Sequence, residues 1–354
     1  MKIKARILAV VLAAVLLFAL AGCTTDITYI TEHEGIKVYT GLYTCALLRG
    51  MNTALQYVPS DTQDIWAEQI DGVPIEQWIS DHAHDTVQEY VALQLKAREL
   101  GIELTEDELS TAAGMASILD QYYTYYSLNN VADVELQQFC QMQLLYQDVF
   151  LALYGEGGER EIPAQEVEDY YTENYLDFRI LTFQSYDQDG HAYTGPELTD
   201  YKELIKEYEA AAQEDPSRMD ELICRYQHYR TLYIAGDDTS NPLPTSGDQV
   251  DVTDQLQQIS YYDQYDYPAE VLDMIRELPA GIPTLLQYEG VDFLACREDL
   301  APFSDRKTEL DLTIRLYLKD EEFSGELVEE GKALDLQFNG AAVRKYAPKT
   351  LTLA

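Results

Sequence analysis

The sequence predicts an α+β protein. Three observations predict it. From residue 38 to 153, apolar residues recur at helical spacings, punctuated by turn and capping residues. At 165–183, QEVEDYYTENYLDFRILTF, the period changes from helical to extended within one stretch. Beyond it, short apolar runs alternate with helical segments, the mark of a small sheet with helices packed on it.

Composition bounds the function before any motif does. The chain has 354 residues, is 46% hydrophobic and carries a formal net charge of −39. That length accommodates two domains of ordinary size, and the apolar content excludes a globally disordered chain. A surface this negative cannot neutralise phosphates, which excludes nucleic acid as a partner. It favours solubility and, at low salt, attracts basic or unfolded partners.

At the N-terminus, Lys2, Lys4 and Arg6 precede an apolar run over 7–20. The run is shorter than the roughly 20 residues of a membrane span, so it reads as a secretory signal over 1–22. Leu20-Ala21-Gly22-Cys23 resembles a bacterial lipobox. That resemblance implies acylation of Cys23 and anchoring to the lipid bilayer, on the extracytoplasmic face of the cell membrane. Two or more acyl chains suffice for stable anchoring. The polar residues that follow predict a tether over 23–34.

Helices are expected next. One spans 38–57 and is broken at Pro59. Asp71-Gly72 signals a turn. From Ile75 to Leu100, Ile75, Ile79, Ala83, Val87, Val91 and Leu95 step by four, and Gly101 is a natural stop. Thr105 with Glu108 forms a capping box. Its helix is expected to run through the Tyr122–Tyr126 cluster to Asn129-Asn130. Phe139, Met142, Tyr146, Val149 and Leu153 mark another helix, ended by Gly155, Gly157 and Gly158.

Pro163 suits a first helical turn, and Val167, Tyr170, Tyr171 and Tyr175 keep helical spacing. A strand is then expected over 179–183, helices over 198–212 and 217–226, and a second strand over 231–235. A loop over 237–249, a helix over 268–278 and a closing strand over 290–294 follow. Near the C-terminus come a helix over 304–330, an alternating strand at Leu334, Leu336 and Phe338, and a short helix over 339–346.

The side chains that could carry chemistry are sparse. Cys45, Cys140, Cys224 and Cys296 form no CxxC pair, which argues against zinc. Cys140, in an apolar helical stripe, and Cys296, after a strand-like run, read as buried thiols; a Cys224–Cys296 bridge is the alternative. His82 and His84, two apart on a helix, point about 200 degrees apart and cannot both face one metal. Asp187-Gln188-Asp189-Gly190 lacks the closing Glu of a calcium loop. No metal site or cofactor is expected, and no GxSxG, P-loop or dinucleotide motif appears.

The junction at 165–183 resembles that of SurA/PrsA-type extracytoplasmic foldases, where a helical chaperone domain meets a parvulin-type prolyl isomerase domain. Glu99-Leu100-Gly101-Ile102, the cap at Thr105, Tyr170-Tyr171 and Glu173-Asn174-Tyr175 carry the helical part. Leu278-Pro279-Ala280-Gly281 and Gly290-Val291-Asp292-Phe293-Leu294 carry the parvulin-like part. Glu321–Phe323 and Lys345–Pro348 carry a C-terminal return. The resemblance implies a helical chaperone-like domain over 35–176, a parvulin-like α/β domain inserted over 177–300, and residues 301–354 packing back on the helices. It implies unfolded or partly folded secreted proteins as partners.

In that family the strand opens His-Ile-Leu; here it opens Arg179-Ile180-Leu181. The second histidine position holds Asp292, and the Cys/Asp position falls near Tyr229. The proline pocket falls near Tyr267 and Val271. All three polar-centre positions have changed, so Arg179 and Asp292 are expected to pair as a structural brace, with the isomerase centre lost. The alternative is that Arg179 donates to a substrate carbonyl and activity survives. A solute-binding or scaffold lipoprotein is the remaining reading.

Cys23→Ser is expected to release the protein from the membrane fraction. Unchanged fractionation would rule out the anchor.

Overall fold

The structure is a computed structural model. It describes residues 28–59, 62–236, 239, 257–260 and 267–352. The signal segment, Cys23 and all but one residue of the loop expected at 237–249 lie outside the described residues. No helix among the described residues is long and apolar enough to cross a membrane. The chain divides into two compact units, Met1–Ile162 with Arg315–Ala354, and Pro163–Ile314.

The inner unit begins with helix α1 (Ala164–Asn174), which leads directly into strand β1 (Tyr175–Phe183). The strand therefore starts four residues before the expected one. The unit also starts before 177 and ends after 300. The reason is Tyr171: its hydroxyl donates to Ala301 O at 2.9 Å. Its ring packs on Tyr175 at 5.1 Å and Phe303 at 5.4 Å.

Helices α2 (Gly195–Glu214) and α3 (Met219–Ala235) follow, then β2 (Gln257–Ser260), α4 (Ala269–Arg276), β3 (Thr284–Tyr288) and β4 (Val291–Arg297). The strands form one antiparallel sheet in the order β2-β1-β4-β3. Residues 231–235, expected as the second strand, are the last turns of α3. Tyr226 and Arg230 are buried one helical turn apart, and Gly236 ends the helix in the left-handed conformation. The second strand is β2 instead. Gly281 sits at φ 72° and donates its N–H to Arg297 O at 2.7 Å, closing the turn after α4. Cys224 and Cys296 are buried free thiols, not a bridge.

In the other unit, Tyr29–His33, expected within the tether, is a strand paired antiparallel with Ile36–Tyr39. Ile30 and Thr31 are wholly buried, and Glu34 and Gly35 turn the chain at positive φ, as a tight hairpin requires. Helices Thr40–Tyr57 and Ile75–Leu100 share a core of Leu42, Leu47, Met51, Ile79, Val87 and Val91. The Thr105–Glu108 capping box forms. Its helix stops at Tyr122, short of the expected end, and Tyr125–Leu128 makes a separate turn. Tyr126 points inward there, against Leu48, Ala112 and Cys140. Helix Asp133–Tyr154 receives Gly41 N–H on Glu135 Oε1 at 2.9 Å.

The C-terminal segment belongs to this same unit. Arg315, 2% exposed on helix Phe303–Ala333, donates from Nη1 to the carbonyls of Tyr154 and Ile162, both at 2.9 Å. Leu334, Leu336 and Phe338 lie in no strand. The chain there is held by single bonds, Thr31 Oγ1 to Gln337 O at 3.1 Å and Asn339 N–H to Ile30 O at 2.7 Å. Leu336 and Ala342 complete the same core.

His84 lies between the Tyr43 ring (5.7 Å) and the Phe338 ring (4.4 Å), and so faces this returning segment. Burial lowers its pKa from the ordinary value, against the opposing pull of Asp81 and Asp85. Burial and Arg49 lower that of His82 as well. A base with a depressed folded-state pKa contributes fully above its unfolded pKa of about 6.5, and stability is lost as pH falls below it. The resistance of this unit to chemical denaturation should therefore fall between pH 7 and 5.5, and His84→Phe should flatten that slope. An unchanged slope would place the proton uptake elsewhere.

Candidate functional site

The sheet of the inner unit is covered on both faces. Leu181, Phe183, Leu294 and Cys296 pack under α2 and α3. Phe178, Ile180, Phe293 and Ala295 pack under α4. Side chains alternate between faces along a strand, so Arg179 joins Leu181 and Phe183 on the α2/α3 face. Asp292 joins Leu294 and Cys296 on the same face.

Arg179 and Asp292 thus lie on neighbouring strands and one face, but they do not meet. Arg179 is opposite Cys296, and Asp292 is opposite Phe183. Four residues of strand separate them, about 13 Å. The expected brace between them is not formed. Arg179 Nε donates to Asp220 Oδ1 at 2.8 Å, and its Nη1 donates to Glu298. Asp292 accepts the Tyr201 hydroxyl at 3.1 Å and Gln287 Nε2 at 3.0 Å. Burial, then Asp292, pushes the Tyr201 pKa well above its usual range, which keeps that hydroxyl a neutral donor.

The other expected residues are divided. Tyr229 lies on α3, against the rings of Tyr226 and Tyr233, each 6.1 Å away. It stands nine residues beyond Asp220, about 13 Å along the helix, and so far from the Arg179 end. Tyr267 packs on Phe178 at 6.1 Å, in the cluster under α4. Val271 is fully buried in that cluster. The expected polar centre and the expected proline pocket are on opposite faces of the sheet.

Two clefts open around Arg230. One, of about 320 Å³, is lined by Tyr193, Tyr201, Tyr226, Tyr229 and Tyr233, with Glu197 and Asp200. The other, of about 570 Å³, lies along β1 and includes Ile180, Ile223, Thr231, Ile234 and Tyr267. Gln184, Tyr226 and Arg230 line both and form the wall between them. Arg230 is 4% exposed. Its Nε donates to Gln184 Oε1 at 2.9 Å, and its Nη1 to the Tyr193 hydroxyl at 2.8 Å and Tyr186 O at 3.2 Å. The Tyr186 and Tyr233 rings each lie 5.1 Å from the guanidinium carbon. The Tyr226 hydroxyl accepts Gln184 N–H at 2.7 Å, and burial pushes its pKa up to about 12.

No family model matches the chain, and no curated protein matches it. Among solved structures it is similar to the foldase protein PrsA from Streptococcus pneumoniae, at 12% identity over 82% of this chain and 99% of that one, TM-score 0.40. It is also similar to PrsA from Bacillus subtilis, at 13% identity over 87% and 93%, TM-score 0.29. A third is the peptidylprolyl isomerase PrsA from Bacillus anthracis, at 13% identity over 72% and 99%, TM-score 0.23.

Sequence reasoning missed Arg230 and its tyrosines. The signal was present in Tyr226, Tyr229, Arg230 and Tyr233, which share one helical face at three- and four-residue spacing. Reading 231–235 as a strand broke that face. Among the described residues, Asp187, Asp189 and His191 have the spacing of metal ligands. They are largely exposed, and Asp187 Oδ1 already accepts the N–H groups of Asp189 and His191 at 2.9 and 2.8 Å.

The part-buried Arg179 holds two carboxylates apart from mutual repulsion, so its role is tested by stability. Arg179→Met should cost the inner unit about 2 kcal/mol, read as a lower urea midpoint. A loss below roughly 0.5 kcal/mol, the range of ordinary surface substitutions, would remove the brace.

Proposed function

We propose that the protein is a lipid-anchored extracytoplasmic holding protein for unfolded or partly folded secreted polypeptides, built on an isomerase-like α/β unit without a working isomerase centre. The element order of the inner unit supports the first half of this reading: strand, two helices, strand, short helix, then two further strands. The order that the parvulin resemblance implies differs from it by the strand Thr284–Tyr288, which was not expected. The acidic surface and the tyrosine-lined cleft suit contact with varied chains, since a tyrosine ring is apolar while its hydroxyl stays wet. Anchoring rests on the lipobox-like Leu20-Ala21-Gly22-Cys23.

The observation that carries the inactive reading is the dispersal of the expected centre. Prolyl isomerisation needs an apolar grip on the ring and placed donors at one twisted amide, whose barrier is roughly 18–20 kcal/mol. Arg179 is engaged by two carboxylates, Asp292 by Tyr201 and Gln287, and Val271 is core. Neither of the two clefts at Arg230 is lined by Arg179, Asp292 or Val271.

At near-stoichiometric ratio, the protein should suppress aggregation of a chemically unfolded, reduced substrate protein. It should leave a proline-limited refolding phase unchanged. Acceleration of that phase, lost in Arg179→Met or Asp292→Asn, would replace this reading with the active isomerase. Failure to suppress aggregation, together with a thermal shift by small solutes, would replace it with the solute-binding lipoprotein.

A further inference from the structure

We infer that the cleft at Arg230 is a subsite for a carboxylate carried by a bound polypeptide. Arg230 is 4% exposed as a residue, and its Nη2 is buried with no acceptor among the described residues. Its other donors are fully used by Gln184, Tyr193 and Tyr186. Buried donors are nearly always paired, and one left unpaired costs the desolvation of the group, more so when it is charged. Glu197 and Asp200 line the same cleft, yet the bonds of Arg230 go to neutral acceptors instead. Among the described residues, this desolvated cation therefore has no carboxylate bonded to it.

The surroundings define the ligand. A planar guanidinium is best matched by a carboxylate, which takes charge-assisted bonds with defined geometry. Tyr193, Tyr226, Tyr229 and Tyr233 offer rigid ring surface to an apolar neighbour on the same ligand. Glu197 and Asp200 repel a bare anion and favour a carboxylate that travels with a basic group. The volume of about 320 Å³ is at the small end of ligand pockets, roughly 300–1,000 Å³. It fits part of a chain and not a folded surface. A C-terminal carboxylate or an acidic side chain, beside a basic residue, meets all of these conditions. The polypeptide nature of the ligand rests on the holding function proposed above; the carboxylate does not.

The test measures fluorescence anisotropy of labelled peptides against the full chain. The probes are a Lys-Tyr-Leu-Ala peptide with a free C-terminal carboxylate, its C-terminal amide, and the amide with an added internal glutamate or glutamine. At least one carboxylate form should bind about tenfold more tightly than its neutral counterpart. Preference for the free acid assigns a chain end, and preference for glutamate over glutamine assigns a side chain. Arg230→Gln should abolish the preference. If that variant loses its circular dichroism, the acid-to-amide ratio on the unaltered protein decides alone. Equal binding of charged and neutral forms, or no saturable binding below millimolar, overturns the subsite. Suppressed aggregation without a carboxylate preference overturns the subsite and leaves the holding function. The preference without suppressed aggregation does the reverse.

Discussion

The inner unit depends on one strand buried on both faces at once. β1 pairs with β2 on one edge and β4 on the other, so its backbone groups are satisfied laterally. Its side chains then serve two cores, Leu181 and Phe183 under α2 and α3, Phe178 and Ile180 under α4. Each such side chain is worth about 1.5–3 kcal/mol when buried. A one-residue slip would exchange every side chain between the faces. It would drive Arg179 into the apolar cluster around Leu272 and Ile275. The charge of Arg179 therefore fixes the register as well as bracing it, because only the α2/α3 face supplies Asp220 and Glu298.

The same accounting applies to the other enclosed polar groups. Asp177, 7% exposed on β1, accepts Ala301 N–H at 2.8 Å, while its own carbonyl accepts Glu298 N–H at 2.7 Å. Arg315 donates to the carbonyls of Tyr154 and Ile162, the first of which also accepts the Ile162 N–H at 3.0 Å. In each case a side chain satisfies groups that regular secondary structure leaves open. Arg230 departs from the pattern, its Nη2 having no acceptor among the described residues, and the departure falls in the wall between two clefts.

The helical unit depends on its last residues. Thr31 and Gln337 are bonded although 306 positions apart, and Leu336 and Ala342 fill the core laid down by the first two long helices. Its core cannot close until the C-terminal segment is present. Long-range closure of this kind is slow and leaves apolar surface exposed meanwhile.

The sequence by itself determined the helices, because their signals are local. Steps of four from Ile75, the Thr105–Glu108 box and Gly101 act within a turn or two of chain. It also determined the switch from helix to strand before Phe183, since the period itself changes there. It did not separate strand from helix at 231–235, where a β-branched and aromatic run is helical because Tyr226 and Arg230 anchor its buried face. The strand at Tyr29–His33 was hidden for the converse reason: a polar-looking segment is buried by a partner far along the chain. Strand register and ion partners were decided by tertiary structure alone. The family resemblance, not the apolar runs, put Arg179 and Asp292 on neighbouring strands. Only the pairing of Arg179 with Cys296, and of Phe183 with Asp292, set them four residues of strand apart.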